Sequence, residues 1–231
     1  MLKVVDYKKW VDYLCQIFKY YAKEVKLILD LACGSGIPSI LLAQKGYKII
    51  GVDSSPEMLK IFRSKIQNKN LDIILYEADM RNFQLPVKVD ACVSFYDSIN
   101  YLLSDEDLRQ CFKSVAQALK SSGIFAFDVN TVFCLEHFWD NKETPRSTSE
   151  IYTIWKNTYD QYQRISTLEL TVYTKKGDVF KEIHRERGYY PEEIEKALRD
   201  AGFNKIDFYE HSTFLPVTDV TLRMMVVAQK T

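Results

Sequence analysis

Gly34 and Gly36 follow the apolar run Lys26–Leu31, and Asp53 closes a second apolar run nineteen residues after Gly34. Glycine is scarce, eight in the chain, yet Gly34, Gly36, Gly46 and Gly51 crowd into one 18-residue stretch. A strand running into a glycine turn lets backbone approach a ligand closely, and a carboxylate on the neighbouring strand end can accept hydrogen bonds from both hydroxyls of a ribose. The pair therefore reads as a nucleoside site. A dinucleotide fingerprint would need a third glycine where Ser39 stands, and Asp30 precedes the loop, so the turn is poorly suited to a pyrophosphate. Candidate bases by residue type are His137, His184 and His211. His184 leads, because strand alternation in Glu182-Ile-His-Arg-Glu-Arg187 can turn it to one face while Arg185 takes the other, although pairing across the sheet would explain it as well. No Ser-His-Asp set or metal-ligand spacing is evident.

Alternating elements must hold these residues. Trp10, Leu14, Ile17, Phe18 and Tyr21 recur at helical spacing, predicting a helix over 7–24. Strands are expected at 26–31, 47–52, 72–76, 89–95 and 124–129, with helices at 37–45, 56–67 and 105–119, the last closed by Ser121-Ser122-Gly123. Such alternation means a parallel sheet covered on both faces. Residues 131–190 break the rhythm: 151–156, 164–174 and 179–187 read as β-segments, with a hairpin turn at 175–178. A helix at 191–201 and strands at 205–209 and 223–229 then resume the first pattern. The expected organisation is a main domain of residues 1–130 and 191–231 carrying a β-rich insertion, 131–190.

Leu29-Asp-Leu-Ala-Cys-Gly-Ser-Gly36 and Gly51-Val-Asp-Ser-Ser-Pro-Glu-Met-Leu59 resemble the first two motifs of class I S-adenosylmethionine-dependent methyltransferases. The resemblance continues through Glu77–Arg81, Asp90–Leu102 and Leu119–Asp128, and is strongest to small bacterial enzymes with an antiparallel insertion after the fifth strand, similar to the amino-sugar N,N-dimethyltransferases. It implies an α/β fold: a doubly wound, mostly parallel seven-stranded, Rossmann-like sheet with a small antiparallel sheet as lid. S-adenosylmethionine is the implied cofactor. By resemblance its methionine end lies against Ala32 and Gly34, with Asp30 near the ammonium and Asp53 on the ribose. Ser54 and Met58 fall beside the adenine, Asp79 on its amino group, Met80 against the ring, and Phe95 at the end of the fourth strand. Tyr7, Trp10 and Tyr13, three apart on one helix face, could form an aromatic lip, and the resemblance favours Tyr7 and Trp10 near the cofactor. Core packing would account equally for that helix; the alternative for Met58 is also core packing, and for Asp79 a solvated loop or cap role. Ala32 departs from the glycine common in the family.

Methyl transfer from a sulfonium is an in-line displacement, so alignment does most of the work, worth about 7–11 kcal/mol. The expected catalytic residues are Tyr96, Asp97 and His184. Acceptor contacts are expected from Asn100, Tyr101, Asp128 and Asn130, and from Tyr152 and Trp155 on the lid, while Asp97 and Asp128 serve equally well as acceptors for loop amides. Eleven of the 31 aromatic residues fall in 131–190, with nine acidic and nine basic residues, which suits a lid over a small, partly apolar or cationic acceptor. The expected reaction is transfer to a small-molecule amine or hydroxyl. The alternatives are a non-catalytic S-adenosylmethionine-binding module and a tRNA or rRNA methyltransferase.

The whole-chain properties agree with that class. The 231 residues are 47% hydrophobic and 27% charged, with 31 basic against 31 acidic side chains, a balance that offers no long-range attraction to nucleic acid or anionic membrane. Apolar runs are far shorter than the roughly 20 residues a bilayer-crossing helix needs. Five widely spaced cysteines (15, 33, 92, 111, 134) read as reduced and buried, and Cys92 as core, unlike a pyrimidine-methylating nucleophile. The opening residues have no signal-peptide core, so a cytoplasmic monomer or homodimer is expected.

Overall fold

The computed structural model describes residues 6–230, so the reading of the first five residues lies outside it. Seven strands form one sheet: β1 (Leu27–Leu31), β2 (Lys48–Asp53), β3 (Ile73–Glu77), β4 (Val89–Ser94), β5 (Leu119–Asn130), β10 (Phe203–Glu210) and β11 (Arg223–Lys230). Their order is β10-β11-β5-β4-β1-β2-β3, with β11 antiparallel to both neighbours and the pairs from β5 to β3 parallel. Crossing helices are α1 (Tyr7–Tyr20), α2 (Ile37–Gln44), α3 (Pro56–Ile66), α4 (Asp105–Ala118) and α5 (Pro191–Asp200). This is the expected doubly wound α/β sheet.

Strand alternation divides the core. Ile28, Ala91, Val93, Ile124, Ala126 and Val227 pack with α1 and α2, while Leu29, Leu31, Cys92, Phe125, Phe127 and Val226 pack with α4 and α5. A sheet buried on both faces explains its near-continuous apolar strands. The parallel strands consequently end together, with the β1 turn, the β2 acid and the β4 loop along one edge, where ligands of open α/β sheets bind.

The insertion is a four-stranded antiparallel sheet, β6 (Glu143–Ser147), β7 (Ile151–Asp160), β8 (Ile165–Thr174) and β9 (Val179–Arg187), in the order β6-β7-β8-β9. Thr131 and Tyr189 pair in an isolated bridge, so the chain leaves and returns at one place. Arg164 joins the inserted sheet to α5 by donating to both carboxylate oxygens of Glu193 at 2.6 and 2.7 Å.

Three local expectations are corrected. Helix α1 ends at Tyr20, with Tyr21 as its cap. Helix α4 ends at Ala118 and the chain turns straight into β5 at Leu119, so Ser121-Ser122-Gly123 lies inside a strand, with Ser122 at φ 62°. Strand β6 escaped notice because it is short, polar and contains Pro145; as an exposed edge strand it tolerates the missing amide. A π-helical turn at Cys134–Trp139 fills the start of the insertion.

Candidate active site

The turn after β1 takes Ala32, Gly34 and Gly36 to φ 59°, 51° and 79°, three left-handed residues within five positions. Ala32 holds a conformation that costs an L-residue about 1–2 kcal/mol, which accounts for the glycine common there in the family it resembles. Gly36 has no substitute: a Cβ would stand 2.3 Å from the buried Phe62 ring. A Cβ on Gly34 would meet no atom within 4 Å, so open space lies above that residue. Lys65 of α3 grips the turn by donating to Ser35 O and Oγ at 2.9 and 2.8 Å.

Asp53 is built into this turn. Its Oδ2 accepts the Gly34 amide at 2.7 Å and its Oδ1 the Ser55 amide at 2.9 Å, while the side chain stays half-buried and keeps acceptor capacity for a ligand. Ser54 and Met58 are exposed nearby at the start of α3, Met58 at 44%, so it is not a core methionine. Asp30 is buried and accepts from Ser39 Oγ at 2.6 Å. Burial, with the charge of Asp53 added, raises its pKa to about 7 against the pull of Ser39. Asp79 is held by its own loop: Arg81 donates to it from the backbone amide at 2.8 Å and from the guanidinium at 2.6–3.1 Å, which lowers its pKa. Met80 is half-buried against the core.

At the end of β4, α1 brings its aromatics over the chain. Trp10 lies 6.3 Å from Phe95 and 5.6 Å from Tyr96, and Tyr7 lies 6.0 Å from Tyr96, between ring centroids. Tyr13, by contrast, is core and donates to Thr213 O. Tyr96 and Asp97 are both left-handed, at φ 66° and 54°, a costly pair of conformations for non-glycine residues. Asp128 holds them there, accepting the Tyr96 amide at 2.7 Å and the Asp97 amide at 3.0 Å. Asp128 is 0% exposed, so it supports the loop from beneath.

Arg223 of β11 donates to Asp128 Oδ2 and, at 2.8 Å, to Asp97 Oδ1, and its guanidinium lies over the rings of Trp10 and Tyr96 at 5.5 and 5.7 Å. Glu186 of β9 completes the cluster. Its Oε2 accepts from Asn130 Nδ2 at 2.9 Å, and burial, with the charge of Asp97 added, raises its pKa to about 8. Asn100 is buried and fully engaged with Asn130 and Arg187 backbone, which makes it a tie between β5, β9 and the 3₁₀ turn Ser98–Tyr101.

The inserted sheet presents one face to this region. Trp155 pairs with Leu170 and Leu170 with Glu182, so these share a face with His184 and Glu186, two and four residues on. His184 Nδ1 lies 3.0 Å from Tyr101 Oη and its Nε2 3.2 Å from Glu182. Tyr152 stands on the opposite face, 5.8 Å from Tyr173, away from the others. Of the expected residues, the structure thus brings together Tyr7, Trp10, Phe95, Tyr96, Asp97, Asp128 and Asn130, with Tyr101 and His184 linked beside them; Asp79 and Tyr152 are engaged elsewhere. Arg223 and Glu186 went unnoticed. Arg223 has no local signal, whereas the alternation that picked out His184 picks out Glu186 equally. His211 lies 4.2 Å from Trp10 in ring centroids, its Nε2 is buried without a partner, and burial beside Arg223 lowers its pKa to about 4. Cys92 is fully buried, its thiol pKa pushed well up by burial.

Residues 28–123 match a family model described as a methyltransferase domain. A protein of Bacillus subtilis (strain 168), YqeM, named as a methyltransferase, is 35% identical over 180 residues, covering 76% of this chain and 72% of that one. The crystal structure of an S-adenosylmethionine-dependent methyltransferase from Clostridium acetobutylicum ATCC 824 superposes with a TM-score of 0.91 at 29% identity, covering 99% of this chain and 93% of that one. A dTDP-3-amino-3,4,6-trideoxy-alpha-D-glucopyranose N,N-dimethyltransferase of Streptomyces venezuelae is 29% identical over 119 residues, 52% of this chain and 48% of its own.

Proposed function

The chain belongs to the class I S-adenosylmethionine-dependent methyltransferases, and on that premise we propose that it methylates a small-molecule amine or hydroxyl held between the main sheet and the inserted one. The turn fits the cofactor. Asp53 retains acceptor capacity beside the open space over Gly34, and Asp30 supplies a carboxyl for an ammonium. When bound, the cofactor supplies an activated methyl group.

In this reading Asp53 takes the ribose, Ala32 and Gly34 the methionine end, and Ser54, Met58, Met80 and Phe95 the adenine side, with Tyr7 and Trp10 closing over it. Asp79 joins only by giving up part of its hold on Arg81, which donates to both of its carboxylate oxygens. The observation that supports an enclosed acceptor most directly is the seam from β9: His184 against Tyr101 at 3.0 Å and Glu186 against Asn130 at 2.9 Å. In this reading the lid residues reach Tyr101 and Asn130, beyond the ends of β4 and β5, where they can orient an acceptor and exclude water. Residues 131–190 are accordingly the lid, and 1–130 with 191–231 the cofactor domain. The relatives named above support small molecules over nucleic acid and over a purely binding role.

The test is transfer from methyl-labelled S-adenosylmethionine to pools of amines, amino sugars and phenols, read by mass spectrometry. A low-mass product gaining one methyl group is expected. Label appearing only in RNA, or nowhere, would overturn the reading.

A further inference from the structure

We propose that Tyr101, His184 and Glu182 form a proton relay for methyl transfer: the Tyr101 hydroxyl oxygen takes a hydrogen from the acceptor's amine or hydroxyl group while its own hydrogen passes to His184. This rests on the small-molecule reading above. Tyr101 Oη lies 3.0 Å from His184 Nδ1, with the two rings edge to face at 88° and 6.1 Å between centroids, and His184 Nε2 lies 3.2 Å from Glu182 Oε2. A carboxylate only accepts, so Nε2 carries the imidazole hydrogen and donates it. Nδ1 of the neutral ring is then an acceptor, and the Tyr101 hydroxyl is its donor.

The fold holds the relay from both sides of the seam. Asn100, immediately before Tyr101, accepts the Asn130 amide at 2.9 Å and donates to the Asn130 and Arg187 carbonyls at 3.0 and 2.8 Å, which fixes the turn against β5 and β9. Glu182 and His184 stand two apart on β9, opposite Leu170 and Leu168 of β8, so alternation turns both to the face that carries Glu186. Burial, with the carboxyl groups of Glu186, Asp97 and Glu182 around it, raises the Tyr101 pKa and keeps the phenol protonated. The cross-strand neighbours on β8 add no charge. The His184 side chain is 32% exposed, which gives its proton a way out to water.

The arrangement selects the acceptor by hydrogen-bond polarity. With its hydrogen committed to His184, Tyr101 Oη offers lone pairs alone, so it can hold an ammonium, an amine or a hydroxyl but gives no bond to a carboxylate or a thiolate. The proton count closes. The acceptor passes one proton to Oη, Oη passes one to Nδ1, and the imidazolium so formed lies against the Glu182 carboxylate. The acceptor's lone pair forms the new bond to the methyl carbon as the carbon–sulfur bond breaks, its electrons leaving on sulfur as a neutral thioether. His184 returns its proton to water, and Tyr101 ends as it began. Tyr101 is thus the group that touches the acceptor, while His184 and Glu182 act through it.

The variants Y101F, H184Q and the two combined test this, assayed with methyl-labelled S-adenosylmethionine and whichever of the amine, amino-sugar and phenol pools yields product. Proton transfer of this kind is worth about 100- to 10,000-fold, and residues that act as one unit are not additive. Each single variant is expected to lower kcat within that range and the combination no further, with cofactor affinity by calorimetry staying within about threefold. Because the Glu182 contact is solvent-exposed, E182Q should lower kcat only about two- to fivefold. It should also lower the His184 midpoint by about half a unit in nitrogen-15 NMR, since a neighbouring negative charge is removed; H184Q identifies the line. In the wild type kcat should rise with pH through that midpoint, and in H184Q the rise should vanish. Losses that multiply in the combined variant, an unchanged kcat in Y101F, or a His184 midpoint indifferent to E182Q would each overturn the proposal. Absence of any methylated low-mass product removes the small-molecule reading and the relay with it, whereas product formed undiminished by these variants removes the relay alone.

Discussion

The amide of Gly34 donates to Asp53 Oδ2 across 2.7 Å, so the glycine turn and the acid of the next strand are one hydrogen-bonded unit. Asp53 therefore both shapes the turn and retains capacity for a ligand. Replacing it by Ala is expected to weaken S-adenosylmethionine and S-adenosylhomocysteine alike by about 10- to 150-fold, the equivalent of one charge-assisted hydrogen bond of about 1.5–3 kcal/mol. Calorimetry on the variant measures this, and unchanged affinity would remove Asp53 from the ribose.

Gly34 and Gly36 should separate folding from binding. G36A drives a Cβ into Phe62 at 2.3 Å and is expected to cost about 2–4 kcal/mol in urea unfolding. G34A meets nothing within 4 Å, so only its left-handed backbone is penalised, by about 1–2 kcal/mol, while its methyl group enters the space assigned to the cofactor. Its larger effect should thus appear in cofactor affinity.

Cofactor binding should depend on pH through Asp30. In the free protein this carboxyl titrates near pH 7, and a bound ammonium would favour its charged form and lower that value. Affinity is then highest above pH 7 and falls by up to about tenfold per unit as pH drops below it, with a proton released on binding. Calorimetry at pH 6 in buffers of different ionisation enthalpy reads that proton. D30N should bind more weakly and without the slope.

The two lid aromatics should behave differently, since Trp155 shares the face of His184 and Glu186 whereas Tyr152 stacks with Tyr173 on the other. W155A is expected to raise the acceptor KM or lower kcat while leaving cofactor affinity within about threefold; Y152A should change neither. A loss of cofactor binding in W155A would assign the lid to the cofactor pocket instead.

Local pattern was enough to determine the doubly wound sheet, the antiparallel insertion and the Gly34–Asp53 unit, because each depends on short-range periodicity or on residues that a parallel sheet must bring to adjacent strand ends. Tertiary structure alone decided the charge balance beneath the loop that follows β4. Arg223 meets Asp97 and Asp128 only because β11 runs antiparallel beside β5, and Glu186 meets Asn130 only because β9 returns to the bridge between Thr131 and Tyr189. Asp79 shows the converse: its motif is local, but its carboxylate is occupied by Arg81, itself held by Asp107 of α4 at 2.8 Å. Burial and partner charge set the protonation of Asp30, Asp97 and Glu186, and both arise from contacts between segments far apart along the chain.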